Sequence, residues 1–190
     1  MAVTIPEIKN TQPQIQPQTR SPPCFFYGSL MNEKVLNAVT RPDPDSNTLF
    51  AVKATVKGYT RFTYHNQPYP GMIPSKNPLE LVEGLLVFGH TPLELHRLDQ
   101  FEGAEYPRST LPVQLLSPVS SIHTIDGREE GYKENETIEA FVYLFEGPLE
   151  HLDLERPWDY EQFKRDHVND WMTVDATFQS MVARSEKAMM

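Results

Sequence analysis

The sequence predicts an α+β protein, a small mixed β-barrel flanked by short helices and followed by a C-terminal amphipathic helix. Many short segments have the alternation or the brief apolar runs of strands, while few segments have helical periodicity. Near the end of the chain, apolar residues recur at three- and four-residue spacing, which is typical of an amphipathic helix. A chain of 190 residues with 39% hydrophobic content can bury one substantial core, so we expect one domain, residues 24–190.

The first 23 residues are predicted to be a disordered tail. They are rich in Gln, Pro and Thr and poor in large apolar residues, so ordering them would gain little burial. They also lack the apolar core of a secretory signal, and no run in the chain approaches the roughly 18 apolar residues of a membrane span. A net charge of −9 argues against nucleic-acid and anionic-lipid partners. A cytoplasmic location is therefore expected.

The predicted strands begin directly after the tail. A short buried strand over 24–27 breaks into a Gly-Ser turn, and a helix over 32–39 follows, with Asn32 as its N-cap. Further strands are predicted over 51–64, 81–89, 108–116 and 137–145. Pro70 and Pro74 suit an edge strand, because proline cannot donate to a central ladder. The polar segment 120–136 is predicted to be an exposed loop.

A second helix is predicted over 92–102. Thr91 and Glu94 form a capping box around Pro92, and Gly103 suits the residue after the last turn. Glu102 then lies at the negative end of the helix dipole, near the carboxylates of Asp99 and Glu105 and beside apolar Phe101 and Tyr106. Each of these features raises the pKa of a carboxyl, so Glu102 is a candidate general acid and base. The alternative is an ordinary solvated residue at a helix end.

The C-terminal stripe predicts one helix over about 157–183. Its apolar positions are Tyr160, Phe163, His167, Trp171, Val174, Phe178 and Met181. The simplest interpretation is that the stripe covers the barrel. A homodimer seam is the alternative, because a terminal helix is free to find a partner.

Other candidate sites are weaker. Cys24 is the single cysteine, so no internal disulfide is possible, and it is expected to be a core residue. The six histidines have no metal-ligand spacing, and no metal site is expected. Ser29 lacks the GxSxG context of a nucleophile, so its backbone N–H is the more probable functional group. Arg61 and Arg108 have the chemistry to pair with a substrate carboxylate, although structural pairing is favoured.

Several motifs together resemble the γ-glutamylcyclotransferase-like family, including its avirulence-induced and γ-glutamylamine cyclotransferase branches. The motifs run from about residue 25 to 145 and read FFYGSLM, GYTRF with YPGMIP, VEGLLVFG, LDQFEGAEYPR and EAFVYLF. The resemblance implies that Tyr27, Gly28, Ser29 and Leu30 hold the glutamyl part of a substrate. It further implies that Glu102 is the catalytic acid and base, and that Tyr106 and Tyr143 line the pocket.

The resemblance implies an intramolecular reaction without a cofactor. The α-amino group of a γ-glutamyl compound attacks its own γ-carbonyl carbon, which releases 5-oxoproline and a free amine or amino acid. Specificity for the leaving amine is expected in the irregular segments 64–76 and 117–135. Two alternatives remain open: a non-catalytic module that binds a small anion, and an acyltransferase that passes the γ-glutamyl group to an external amine.

Overall fold

The computed structural model describes residues 21–42, 49–123 and 129–187, so the predicted disordered tail lies almost entirely outside the described residues. The strands are β1 (Cys24–Phe26), β2 (Phe50–Lys57), β3 (Tyr59–Tyr64), β4 (Pro70–Pro74), β5 (Leu81–Phe88), β6 (Arg108–Leu115), β7 (Val119–His123), β8 (Glu129–Tyr132), β9 (Thr137–Tyr143) and β10 (Leu152–Pro157). The helices are α1 (Glu33–Thr40), α2 (Pro92–Glu102), α3 (Tyr160–Asp166), α4 (Val168–Val174) and α5 (Ala176–Lys187). None of these helices is long and apolar enough to cross a membrane.

Five strands close into a barrel in the order β1-β5-β2-β6-β9, which confirms the predicted α+β barrel. The β1–β9 pair is parallel and the other pairs are antiparallel, so the barrel is mixed. One apolar cluster fills it and includes Phe25, Val56, Leu86, Val113 and Val142. A second cluster lies between the barrel and the helices. Strand β1 borders both clusters, because its side chains alternate between the two faces.

A second sheet has the order β10-β3-β4. Strand β4 is at its edge, as Pro70 and Pro74 predicted. The predicted single strand over 51–64 is wrong, because Gly58 divides it into β2 and β3. Gly58 has φ of +83°, a backbone conformation that glycine adopts without strain, and the chain turns there into the second sheet.

The segment 120–136, predicted to be an exposed loop, contains β8 and all of β7 except Val119, and these two strands pair antiparallel. The hairpin packs on the barrel: Val119 is buried, and the Tyr132 ring stacks on Phe88 with centroids 5.6 Å apart. The prediction was wrong here because a polar surface hairpin has little apolar alternation to indicate its strands.

The predicted single C-terminal helix is also wrong. The chain forms β10 and then α3, α4 and α5, with breaks at His167 (φ −128°) and Asp175 (ψ 121°). The break at His167 changes the helical phase, so this predicted stripe residue is exposed while Val168 is buried.

The C-terminal stripe nevertheless covers the barrel, as the simplest interpretation predicted. Phe163, Trp171 and Phe178 are buried within the chain itself. Helix α5 packs on α2, where the rings of Phe101 and Phe178 meet edge to face at 6.1 Å. These three aromatic side chains therefore need no partner subunit for their burial, and a homodimer stays a prediction.

Candidate active site

The first component of the site is the turn that follows β1. This strand lies between β5 and β9, and beyond Phe26 the chain passes through Tyr27 and Gly28 into a 3₁₀ turn, Ser29–Met31. A Cβ atom at Gly28 would lie 2.9 Å from both Cδ and Cγ of Pro70. A larger residue would therefore push β4 away from the turn.

Backbone geometry determines which N–H groups the turn leaves for other acceptors. Met31 N–H donates to the Gly28 carbonyl at 3.0 Å, and Asn32 N–H donates to the Ser29 carbonyl at 3.0 Å. The N–H groups of Ser29 and Leu30 precede these bonds and have no acceptor inside the turn. Asn32 then caps α1, as predicted, and its Oδ1 accepts from Lys34 N–H at 3.0 Å.

Arg61 on β3 binds the start of this turn through a backbone carbonyl. One of its guanidinium nitrogens, Nη1, donates to the Tyr27 carbonyl at 2.6 Å and to the Glu83 carbonyl at 3.0 Å. The guanidinium also stacks over the Trp158 ring at 5.2 Å. Arg108 lies 3.4 Å from the Asp99 carboxylate. Both arginines therefore make the structural pairings that the sequence favoured.

Glu102 is the last residue of α2, as predicted, and the capping box of Thr91 and Glu94 is present at the other end of the helix. The Glu102 side chain is partly buried. Burial, and secondarily the charge of Asp99, raises its pKa from 4.5 to about 8.

The expected effect of Glu105 on Glu102 is not observed. The Glu105 carboxylate lies 2.9 Å from His151 Nδ1 and accepts a hydrogen bond from the Tyr64 hydroxyl at 3.2 Å. Asp99 is the carboxylate whose charge raises the Glu102 pKa. The difference follows from helical spacing, because Asp99 and Glu102 are three residues apart on α2 and Glu105 lies beyond its end.

One cavity brings the predicted site residues together. Its empty volume is about 510 Å³, including the open mouth. Its wall contains all the candidates named from the sequence: Tyr27, Gly28, Ser29, Leu30, Glu102, Tyr106 and Tyr143. The turn and the carboxyl group therefore face a common space, although more than 70 residues separate them along the chain.

The hydroxyls of the three tyrosines predicted from the sequence are hydrogen-bonded within the protein. Tyr27 donates to the Tyr143 carbonyl at 2.6 Å, and Tyr143 donates to Asp99 Oδ1 at 2.8 Å. Tyr106 donates to the Pro70 carbonyl at 3.3 Å. Burial raises the pKa of all three hydroxyls. They therefore stay protonated, and their rings are fixed as walls.

The structure adds cavity residues that the sequence did not predict as site residues. They are Phe25, Phe26, Tyr69, Pro70, Phe101, Trp171 and Met181. Tyr69 and Pro70 belong to the YPGMIP motif, so a signal for them was present. Trp171 and Met181 belong to the amphipathic stripe, which indicated burial but not a contact with the site.

The barrel and this cavity define a candidate small-ligand site, with one carboxyl group, that of Glu102, and a backbone turn among its described wall residues. Sequence comparison identifies the family. A family model described as "Gamma-glutamyl cyclotransferase, AIG2-like" matches residues 24–165, and the chain belongs to this family.

Relatives from Arabidopsis thaliana agree with this assignment. The chain is 30% identical to AIG2-like protein D over 81% of this chain and 86% of that protein. It is 27% identical to AIG2-like protein C over 81% of this chain and 76% of that protein. A solution structure of an Arabidopsis thaliana protein shares 25% identity and superposes with a TM-score of 0.51, covering 80% of this chain and 85% of that chain.

Proposed function

We propose that this protein is an enzyme of the γ-glutamyl cyclotransferase type, which releases 5-oxoproline and an amine from a γ-glutamyl compound. The observation that carries the proposal is the shared cavity of Glu102 and the Gly28–Leu30 turn. A carboxyl group whose pKa is raised to about 8 is suited to accept and return protons near neutral pH. Membership of the family supports the same reaction.

The proposed reaction needs little chemistry from the protein. The substrate's α-amine nitrogen forms a bond to its γ-carbonyl carbon, and the bond from that carbon to the leaving nitrogen breaks. Because both reacting groups belong to one molecule, a well-held conformation gains effective molarities on the order of 10⁵ M or more. Glu102 takes a proton from the attacking amine and returns one to the leaving nitrogen, which balances the reaction.

The turn after β1 supplies hydrogen-bond donors in this mechanism. The N–H groups of Gly28, Ser29 and Leu30 form an anion-binding turn for the substrate's α-carboxylate or for the developing oxyanion. The rings of Tyr27, Tyr106 and Tyr143 enclose the glutamyl group. No metal ion or organic cofactor takes part in these steps.

The decisive experiment replaces Glu102 by Gln, which keeps the shape of the side chain but cannot exchange a proton. We expect turnover to fall about 10²-fold or more, with a melting temperature equal to or slightly above that of the wild type. The assay is mass-spectrometric detection of 5-oxoproline from γ-glutamyl amino acids, γ-glutamylcysteine, glutathione and γ-glutamyl-lysine. Glu105→Gln is the matched control, because Glu105 does not line the cavity and should stay active.

The products separate this proposal from its alternatives. If the wild type forms no product from any compound but binds one of them, the protein is a small-anion binding module. If a new γ-glutamyl amide forms with an added amine, the protein is an acyltransferase. Full activity of Glu102→Gln would remove Glu102 from the mechanism.

A further inference from the structure

Trp171 has a buried indole N–H group without an acceptor. Its side chain is 3% exposed, and within the described part of the chain its Nε1 atom has no hydrogen-bond partner. A buried donor that stays unpaired costs free energy comparable to a lost hydrogen bond. Such groups are rare in folded proteins, and Trp171 also lines the candidate active-site cavity, so an acceptor on a ligand there would satisfy this donor.

The indole ring is held firmly in the wall of the candidate active site. It meets Phe178 at 4.7 Å and Phe163 at 5.8 Å, both edge to face, and lies 5.9 Å from the Tyr69 ring. The ring is therefore fixed by its neighbours, with little entropy left to lose on binding.

Trp171 reaches the cavity from α4, after the residues that the family model matches. Under the proposed function, the Gly28–Leu30 turn already binds the glutamyl half of the substrate. We therefore expect the part of the cavity wall that contains Trp171 to lie beside the leaving half of the substrate.

The charges around Trp171 restrict which oxygen the N–H can bind. No Arg, Lys or His is among the described residues that line the cavity. Trp171 also lines a neighbouring polar cavity, whose wall contains Arg156, His167 and four carboxylates: Asp159, Asp166, Asp170 and Asp175. Asp166 is paired with Arg165, which lies outside this wall. The other three carboxylates outnumber Arg156, so an uncharged oxygen is favoured over a second substrate carboxylate.

We propose that the Trp171 indole N–H donates a hydrogen bond to an uncharged oxygen, such as an amide carbonyl, on the leaving half of a γ-glutamyl substrate. Trp171 is then a specificity-determining residue, and the preferred leaving groups are amines that carry an amide or hydroxyl next to the scissile bond. This assignment rests on the proposed cyclotransferase function.

The test compares γ-glutamyl-alaninamide and γ-glutamyl-alanine, which have nearly equal shapes, with the smaller γ-glutamyl-isopropylamide. They place an uncharged acceptor, a carboxylate and a methyl group at the same position. We expect the wild type to have the highest kcat/KM for the alaninamide. Trp171→Phe should lower that value about tenfold and change the isopropylamide value less than about twofold, because only the first substrate loses a hydrogen bond.

A second variant separates the N–H group from the shape of the ring. Benzothienylalanine at position 171 keeps the bicyclic ring and replaces the N–H by sulfur, so it should show the same selective loss as Trp171→Phe. Trp158→Phe is the matched control, because Trp158 Nε1 donates to the Pro68 carbonyl at 2.7 Å and Trp158 does not line the cavity. That control should lower the melting temperature without changing the order of the substrates.

Three outcomes overturn the proposal: equal kcat/KM losses for all three substrates, no loss for any of them, or a wild-type preference for the alanine carboxylate. If the wild type releases no 5-oxoproline at all, the proposed function fails instead. Calorimetry with the same three compounds then decides the Trp171 assignment. It is upheld if Trp171→Phe selectively weakens binding of the alaninamide, and it is overturned otherwise.

Discussion

Glu102 combines partial burial with a carboxylate neighbour one helical turn away. Asp99, in turn, accepts the Tyr143 hydroxyl at 2.8 Å and lies 3.4 Å from Arg108. Both burial and Asp99 disfavour the ionised form of Glu102, and they place its pKa at about 8. In the ligand-free protein, Glu102 is therefore mainly protonated below this pH and becomes a base above it.

The pH dependence of the proposed reaction should report this pKa. We expect kcat/KM to rise about tenfold per pH unit on the acid side and to level off above about pH 8, because the base form of Glu102 starts the reaction. Asp99→Asn removes a like charge while retaining an acceptor for Tyr143, so it should move the midpoint to lower pH. Profiles of initial rate against pH measure both effects.

Glu105→Gln is the control for this profile and should keep the wild-type midpoint. A midpoint that is the same in Asp99→Asn and in the wild type would contradict the electrostatic role of Asp99.

At the scale of elements, Arg61 connects three parts of the fold. Its side chain extends from β3 to the turn after β1 and to the Glu83 carbonyl on β5. The planar guanidinium is suited to this geometry, because it bonds two carbonyls and also stacks on Trp158. The position of the turn therefore depends on packing between the barrel and the second sheet.

Arg61→Lys should loosen the turn while keeping the positive charge. We expect a stability loss of about 1–3 kcal/mol and a rise in KM for the γ-glutamyl substrate, because the ammonium lacks the planar surface that stacks on Trp158 and does not hold both carbonyls in the same geometry. Urea unfolding and steady-state kinetics measure the two effects. Arg165→Lys, at an exposed pair with Asp166, should change neither quantity. Wild-type behaviour of Arg61→Lys would contradict this role.

The C-terminal helices provide a second prediction at this scale. Phe163 is 1% exposed and packs against Trp158 and Trp171 at 5.6 and 5.8 Å. Phe163→Ala should cost about 3–5 kcal/mol in unfolding free energy, measured by chemical denaturation. The molar mass from light scattering should stay the same in the variant and the wild type. A lower mass in the variant would instead support the homodimer seam.

At the scale of the whole molecule, barrel closure forms the site. The parallel β1–β9 pairing brings Tyr27 near Tyr143, and α2 delivers Glu102 to the same cavity. The hydrogen bonds that close the barrel include one just before β1, which Phe141 N–H donates to the Pro23 carbonyl at 2.8 Å. Pro23 therefore marks the N-terminal limit of the barrel's hydrogen bonding among the described residues.

A truncated protein that starts at Pro23 should melt like the full chain. The composition of the removed residues offers little apolar burial, and the bond from Phe141 to Pro23 is kept. Thermal denaturation followed by circular dichroism measures this. A truncation that starts at Phe26 is the contrasting variant and should fail to fold, because it removes ladder pairs of β1 with both β5 and β9. A loss of several degrees in the Pro23 truncation would show that the first residues contribute to stability.

The sequence by itself determined the features that depend on neighbouring residues. Helix α2 begins and ends where its capping box and Gly103 predicted, and Asn32 caps α1. The contribution of Asp99 to the raised pKa of Glu102 was also predictable, because Asp99 is a local neighbour on the same helix, whereas the larger contribution, burial, depends on tertiary packing. The family motifs identified the remaining cavity residues that the sequence named, since each motif is a short continuous segment.

Only the tertiary structure decided the features that depend on distant contacts. Three such features are the turn at Gly58, the strand β10 and the break at His167. Each depends on packing against distant parts of the chain, and the periodicity of apolar residues does not contain that information. The same reason applies to Trp171 and Met181. An apolar stripe predicts that its side chains will be covered, but barrel closure and helix packing determine that these two lie in the wall of the cavity that contains Glu102.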